Sequence, residues 1–464
     1  MDLTTSTDPE TWIVRPSRPP RLAAAVQRRV AQAVVGIGLA DRLALLERRK
    51  ALHASITEPD RIARWQVDAF NQVWQGATKR FRFYADWQRR YGLPDQLSGL
   101  TALSDFPVLR KADIEANLAT IARDASPCRF AGTGGSTGPS CWFPRSDEDD
   151  RLLHSNMYLG RSWAGVRPGD DIVLIWGHDH LYGFGVKGQV VKAKRRAMDW
   201  LIGTRRLDVY RLDDDSVAAY FAAICARPGS VVVGYVSAVR KLLQFIERSG
   251  ADGRAARIRR VIFCSETVFP KDIERVRTIL GSTPLVEYGM GETGVMAYSR
   301  PDSTVLTFLW DAFHCHVTAG EELVVTTLQP RHFPLINYGT GDRVEALEGR
   351  TTLPFRCARI VGRTRDLIGL RLRDGAIVET HSELLEDCLD LVPEVRSYFI
   401  HQKGDAIDIA VRIEPRGELD TVRRRFLRVV NQQFPGVDES KLTFSWLEGE
   451  PRTIAGKRQY ILRE

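Results

Sequence analysis

An α/β architecture containing a substantial parallel sheet, followed by a smaller unit, is what this sequence predicts. Three observations carry it. From about Cys128 onward, short apolar runs alternate with helix-period stretches, as chains that build parallel sheets do. The pattern changes at Gly362-Arg363-Thr364-Arg365-Asp366, and the remaining chain has its own mixed character. The length, 464 residues, suits two or three domains at about 150 residues each.

The elements follow in order. Residues 1–20 are polar and proline-rich and are expected to form a loose tail. Arg21 to His53 reads as helical, with Arg28, Arg29, Arg42, Arg48 and Arg49 among apolar residues. Such a basic amphipathic helix can lie on a membrane surface, but packing on its own domain is the commoner outcome. Asp60 to Arg90 reads as a second helical stretch, rich in aromatics that suit a core. Asp171–Trp176, Ser230–Gly234, Arg260–Cys264 and Glu322–Thr326 read as buried strands. Ser216–Cys225, Ser237–Ser249 and Pro270–Leu280 read as intervening helices.

Composition narrows the function classes. Hydrophobic residues make up 44% and charged residues 27%, which excludes global disorder. A net charge of +8 favours anionic ligands such as nucleotides and does not by itself indicate nucleic-acid binding. The seven cysteines form no C-x-x-C pair, and an odd number suits a disulfide framework badly, so a cytoplasmic location is expected. Met1–Glu10 is polar and acidic, unlike a signal peptide. No apolar run approaches the roughly 20 residues of a membrane span, so no stable membrane insertion is expected.

Five local signals bear on chemistry. Ala131-Gly-Thr-Gly-Gly-Ser-Thr-Gly-Pro139 interleaves glycines with Thr133, Ser136 and Thr137. Backbone N–H groups and hydroxyls in such a loop can close around phosphate oxygens. It lacks the Gly-Lys-Ser/Thr ending of a Walker loop, and Cys141-Trp-Phe143 reads as a returning strand, which makes the loop a hairpin tip. Val286-Glu-Tyr-Gly-Met-Gly-Glu-Thr-Gly294 offers the Tyr288 ring for stacking on a base, Gly289 and Gly291 for a tight turn, and Glu292 as a hard ligand for Mg²⁺. In Pro334-Leu-Ile-Asn-Tyr-Gly-Thr-Gly-Asp342, an acid after a tight turn can accept hydrogen bonds from ribose hydroxyls. Gly362–Asp366 and Thr453-Ile-Ala-Gly-Lys457 complete the set. Each is weak alone, since an acid after a turn is usually a cap and a lysine near a chain end is usually solvated.

In this order the five signals resemble those of the adenylate-forming superfamily of acyl-CoA ligases, and within it the phenylacetate–CoA ligase-like branch with its capsule-biosynthesis relatives. Ala131–Pro139 is similar to the family's phosphate loop, with Thr133, Gly134, Gly135, Ser136, Thr137 and Gly138 at its centre, and Tyr288–Glu292 to its Y-G-x-T-E. Asn337–Asp342 is similar to R-Y-x-T-G-D, and Gly362–Asp366 to G-R-x-D-D, with Arg363 on the nucleotide and Arg365 at the hinge. Ser265 and Glu266 match the strand end that borders the adenine, and Lys457 the late catalytic lysine. His178, His180 and Tyr182 fall where the family gates its acyl pocket. The resemblance implies a large N-terminal domain of mixed β-sheets layered with helices, residues 21–362, and a small, mobile α+β domain, residues 363–464, joined by a hinge.

It further implies an AMP-forming acid–thiol ligase. ATP and Mg²⁺ convert a small-molecule carboxylic acid into an acyl adenylate, which passes to a thiol, coenzyme A by family default. A carrier-protein thiol or an amine stays open as the acceptor, as does a nucleotide-binding homologue without turnover. Thr137, Glu292 and Lys457 are then the catalytic residues. Departures bear on the last alternative: Pro139 stands near the place of a loop lysine, Gly291 replaces a threonine before Glu292, and Asn337 stands where arginine is common. The zinc-binding cysteine/histidine set of some members is missing after Glu292, and His314-Cys315-His316 offers only two histidines on one strand face, so zinc is not expected.

Overall fold

The computed structural model describes residues 26–27, 29–34, 40–132, 142–176, 185–208, 214–347, 353–363, 367–381, 385, 388–389, 392, 394–413, 418–433, 436–448 and 461–463. Its centre is an eleven-stranded mixed sheet. Five parallel strands form one side in the spatial order β4 (Thr204–Asp208), β3 (Ile172–Trp176), β5 (Val231–Tyr235), β6 (Arg260–Cys264), β7 (Thr283–Met290). The sheet continues antiparallel through β8 (Gly294–Ser299), β9 (Leu306–Phe308), β13 (Arg356–Arg363), β12 (Tyr338–Ala346), β11 (Glu322–Thr327) and β10 (Phe313–Val317).

The parallel side matches the expected alternation. Val231 to Tyr235 are buried throughout, as a strand covered on both faces requires. Helices Asp214–Cys225 and Val236–Ser249 flank β5 within two residues of their expected bounds. The expected helix Pro270–Leu280 is α-helical only to Arg275 and then widens into a π-turn, Val276–Leu280, closed by Gly281 in the left-handed region.

The aromatic stretch Asp60–Arg90, expected as one helix, is two. Helix α1 (Ala40–Ser55) precedes α2 (Pro59–Arg80) and α3 (Arg82–Tyr91), and Phe81 between the latter two is extended at φ −108°, ψ 117°. That break turns the Phe81 ring inward against Phe333 and Tyr84, at centroid distances of 5.2 and 6.4 Å. Tertiary burial of a large ring outweighs the modest helix propensity of one residue.

Strands β1 (Arg129–Gly132) and β2 (Trp142–Arg145) pair antiparallel, so residues 133–141 join the arms of a hairpin, as expected. Helix α4 (Asp147–Ser162) starts directly after β2, with Ser146 as its N-cap and Asp149 completing a capping box. Helix Val236–Ser249 is α5. Beyond β13 a second hydrophobic core, separate from the first, runs from Ile368 to Leu442. It packs helix α6 (Leu419–Gln433) and the hairpin β14 (Leu367–Arg371) with β15 (Ile377–His381) around a four-stranded sheet. The order in that sheet is β18 (Leu442–Trp446), β17 (Ala406–Ile413), β16 (Val395–Lys403), β19 (Ile461–Arg463).

Candidate active site

The carboxyl ends of β6 and β7 and the neighbouring antiparallel strands gather most of the described candidate residues. This is where open α/β sheets place ligands. Tyr288 lies near the end of β7 and Asp342 lies within β12, yet the Tyr288 hydroxyl donates to Asp342 Oδ2 over 2.7 Å. Asp342 is 7% exposed. Burial, and then the Asp342 charge, hold the Tyr288 phenol well above its ordinary pKa, so it stays a proton donor. Arg363 is the Cα partner of Asp342 across the β12–β13 ladder, which brings these two sequence-distant candidates side by side.

Glu292 sits on the tight turn between β7 and β8. Its Oε1 accepts a 3.0 Å hydrogen bond from the hydroxyl of Tyr338, also on β12. The two acids are thus held crosswise, each by a tyrosine from the other's strand system. Gly289, expected to serve the turn, serves packing instead. It lies inside β7 at a register shift, and a Cβ there would stand 2.6 Å from Val295 Cα and nearer still to the Gly294 carbonyl oxygen. The left-handed residue of this hairpin is Gly294, at φ 70°.

Ser265 follows β6 with φ 68°, an uncommon conformation for a residue with a Cβ. The Glu266 carboxylate accepts from Ser237 N at 2.6 Å and from Ser237 Oγ at 2.9 Å. It therefore ties the end of β6 to the first turn of α5, where a negative charge is favoured. Asn337, where the resemblance expects an arginine, is fully buried at φ 50°, and its side-chain amide donates to Phe106 O over 2.8 Å. It anchors the chain entering β12; asparagine tolerates this left-handed backbone better than most residues.

Thr133, Gly134, Gly135, Ser136, Thr137, Gly138, His178, His180, Tyr182, Arg365 and Lys457 lie outside the described residues. On β10, His314 Nδ1 lies 3.0 Å from Gln66 Oε1, and burial pushes the imidazole pKa down to about 3. Among the described residues no three His, Cys, Asp or Glu side chains converge as a metal site would require.

Sequence reasoning missed Tyr338 and Arg331. Tyr338 was within reach: it lies four residues before Asp342, and side chains an even number apart share a strand face. Arg331 carried no signal. It precedes β12 on an irregular segment and donates through Nη1 to Thr293 O at 3.1 Å, directly behind Glu292.

The solved structure of 2-hydroxyisobutyryl-CoA ligase in the postadenylation state with 2-HIB-AMP aligns with a TM-score of 0.65 at 16% identity. The alignment covers 86% of this chain and 89% of that one. The same ligase with 2-HIB-AMP and CoA in its thioesterification state gives 0.54 at 17% identity, covering 88% of this chain and 91% of that one. The fold is that of the adenylate-forming acyl-CoA ligases. No family profile matches the chain, but phenylacetate-coenzyme A ligase of Pseudomonas putida is 23% identical over 357 residues, 72% of this chain and 78% of that one. The chain is thus similar in fold to a solved acyl-CoA ligase and in sequence to a phenylacetate–coenzyme A ligase.

Proposed function

We propose that this protein is an AMP-forming acid–CoA ligase. It activates a small-molecule carboxylic acid with ATP and hands the acyl group to the thiol of coenzyme A. One observation carries this reading: Tyr288, Asp342 and Glu292, from motifs some fifty positions apart in the chain, meet through two tyrosine–carboxylate hydrogen bonds of 2.7 and 3.0 Å.

The chemistry follows from the charges. A carboxylate oxygen of the acid attacks the α-phosphorus of ATP. The new O–P bond forms as the bridging P–O bond breaks, and pyrophosphate leaves. The thiol sulfur then bonds to the acyl carbon as the acyl–O bond breaks, the thiol proton is lost, and AMP departs. Donors aimed where charge develops are each worth about 100–1000-fold in rate. Thr133, Ser136, Thr137 and the N–H groups around Gly134, Gly135 and Gly138 hold the phosphates.

Asp342 and Arg363 hold the ribose, and Tyr288 fixes Asp342 and stacks on the adenine beside the Ser265–Glu266 strand end. Lys457 neutralises the reacting carboxylate and α-phosphate, a task for a compact charge on a flexible stem. His178, His180 and Tyr182 shape the acid's pocket. Glu292 fits Mg²⁺: its hydrogen bond to Tyr338 engages one oxygen of a hard donor, and this ion binds through one or two carboxylates plus substrate phosphates. When bound, Mg²⁺ draws charge from the phosphate oxygens.

Among the described residues no helix is long and apolar enough to cross a membrane; we place the enzyme in the cytoplasm, where its co-substrates are. Residues 21–362 and 363–464 act as two domains hinged at Arg365, in keeping with their two cores. The test is pyrophosphate exchange across a panel of carboxylic acids, followed by thioester formation with coenzyme A. Exchange that depends on one acid class, and thioester that requires coenzyme A, is the expected result. Exchange without any thioester would assign the acyl group to a carrier protein or an amine, and ATP binding with no exchange for any acid would refute an enzyme.

A further inference from the structure

Arg331 joins three pieces of the site that are far apart in sequence. Its side chain is 8% exposed. Nη1 donates to Thr293 O, the residue after Glu292, at 3.1 Å. Its Nε stands 3.8 Å from Asp149 Oδ1, too far for a hydrogen bond, and is buried with no hydrogen-bond partner. Asp149 is itself engaged: it accepts from Ser146 N at 2.8 Å, closing the capping box directly after β2, and from His332 N at 2.9 Å. The guanidinium thus lies between the turn that bears Glu292 and the first turn of α4, which directly follows β2.

Burial lowers the Arg331 pKa to about 10, offset by Asp149 and Glu292 and reinforced by Arg145 of β2, so it remains a cation at neutral pH. A buried guanidinium with an unsatisfied Nε is costly.

We propose that Arg331 is a positioning residue for Glu292: it fixes the turn from behind and balances the acid's charge, so that the carboxylate is preset for a divalent cation on the nucleotide phosphates. This rests on the functional reading above and adds to it a residue outside all five motifs. Residues that orient a metal ligand are typically worth about 10–100-fold in metal affinity.

The test uses the full chain, wild type, Arg331→Met and Arg331→Lys. Mn²⁺ binding is read by electron paramagnetic resonance in the presence of α,β-methylene ATP, with steady-state kinetics and thermal melting alongside. Arg331→Met should weaken Mn²⁺ binding about tenfold or more, raise the Mg²⁺ concentration needed for exchange by a similar factor, and leave the KM for the acid within about twofold. Arg331→Lys keeps the charge without the fork and should recover part of the loss. Unchanged Mn²⁺ affinity in a folded Arg331→Met protein, or an equal loss in KM for acid and ATP, overturns the proposal. If Arg331→Met does not fold, Arg331→Lys decides, and wild-type Mn²⁺ affinity there overturns it. A wild-type protein that binds Mn²⁺ with the analogue but exchanges pyrophosphate with no acid sinks the functional reading alone, because the cation is read directly.

Discussion

Two side-chain contacts, Tyr288–Asp342 and His314–Gln66, carry testable consequences at the scale of single residues. A phenol whose burial keeps it protonated is a dependable donor, so Tyr288 keeps donating to Asp342 across the working pH range. Tyr288→Phe should weaken ATP binding about tenfold, the scale of one hydrogen bond to a charged group, with little effect on the KM for the acid. Titration calorimetry checks it, and unchanged ATP affinity would remove Asp342 from the nucleotide. His314 makes a stability prediction. Burial depresses its pKa to about 3, with the neighbouring His316 charge adding to the effect. The unfolded chain accepts a proton near pH 6.5 that the folded protein refuses, so this contribution is present above pH 6.5 and is lost as pH falls toward 3. His314→Asn keeps a donor for Gln66 and should flatten the decline in unfolding free energy between pH 7 and 5; an unaltered slope would assign the decline to other groups.

Among elements, the attachment of α1 is the clearest case of a few polar atoms fixing a whole helix. Arg49 on α1 forks onto Asp311, with contacts of 2.6 and 2.8 Å, and its remaining nitrogen donates to Asn156 at 2.7 Å and Ser155 at 3.0 Å on α4. Both charges are buried. Removing Arg49 leaves the buried Asp311 carboxylate with only His53, 2.8 Å away, as an ion-pair partner, and losing one partner of a buried pair costs up to about 3–5 kcal/mol. Arg49→Met should lower urea-unfolding stability by that amount, and a loss below about 1 kcal/mol would show α1 to be held by apolar contacts instead. The same logic applies to the start of α4, directly after β2: its N-cap Ser146 and the bond from His332 N to Asp149 hold the first turn.

For the whole molecule, the proposed function requires Lys457 to reach a site built by the larger core. A lysine that far along the chain serves adenylation only if the smaller core is brought over the larger one, and transfer to a thiol then calls for a second arrangement. Lys457→Ala should reduce pyrophosphate exchange at least about 100-fold, yet leave thioester formation from a supplied acyl adenylate within about threefold of wild type. Equal loss of both half-reactions would abolish the division of labour. A domain rearrangement of this kind would also make the separation of the two cores functional, since a single continuous core could not be reorganised within a catalytic cycle.

Periodicity and turn chemistry alone were enough for the parallel half of the sheet and the β1–β2 hairpin, because these follow from local rules: strands covered on both faces and tight turns. The partners of the motif residues were not readable in the same way. That Tyr288 serves Asp342, Tyr338 serves Glu292, Glu266 caps α5 and Phe81 breaks a helix are consequences of packing between segments tens to hundreds of positions apart. Arg331 is the extreme case, a residue on irregular chain whose surroundings come from a turn, a helix start and a hairpin stem. Local sequence specifies the backbone's own hydrogen bonds, whereas a buried polar side chain must take whichever partner the assembled core brings within about 3 Å.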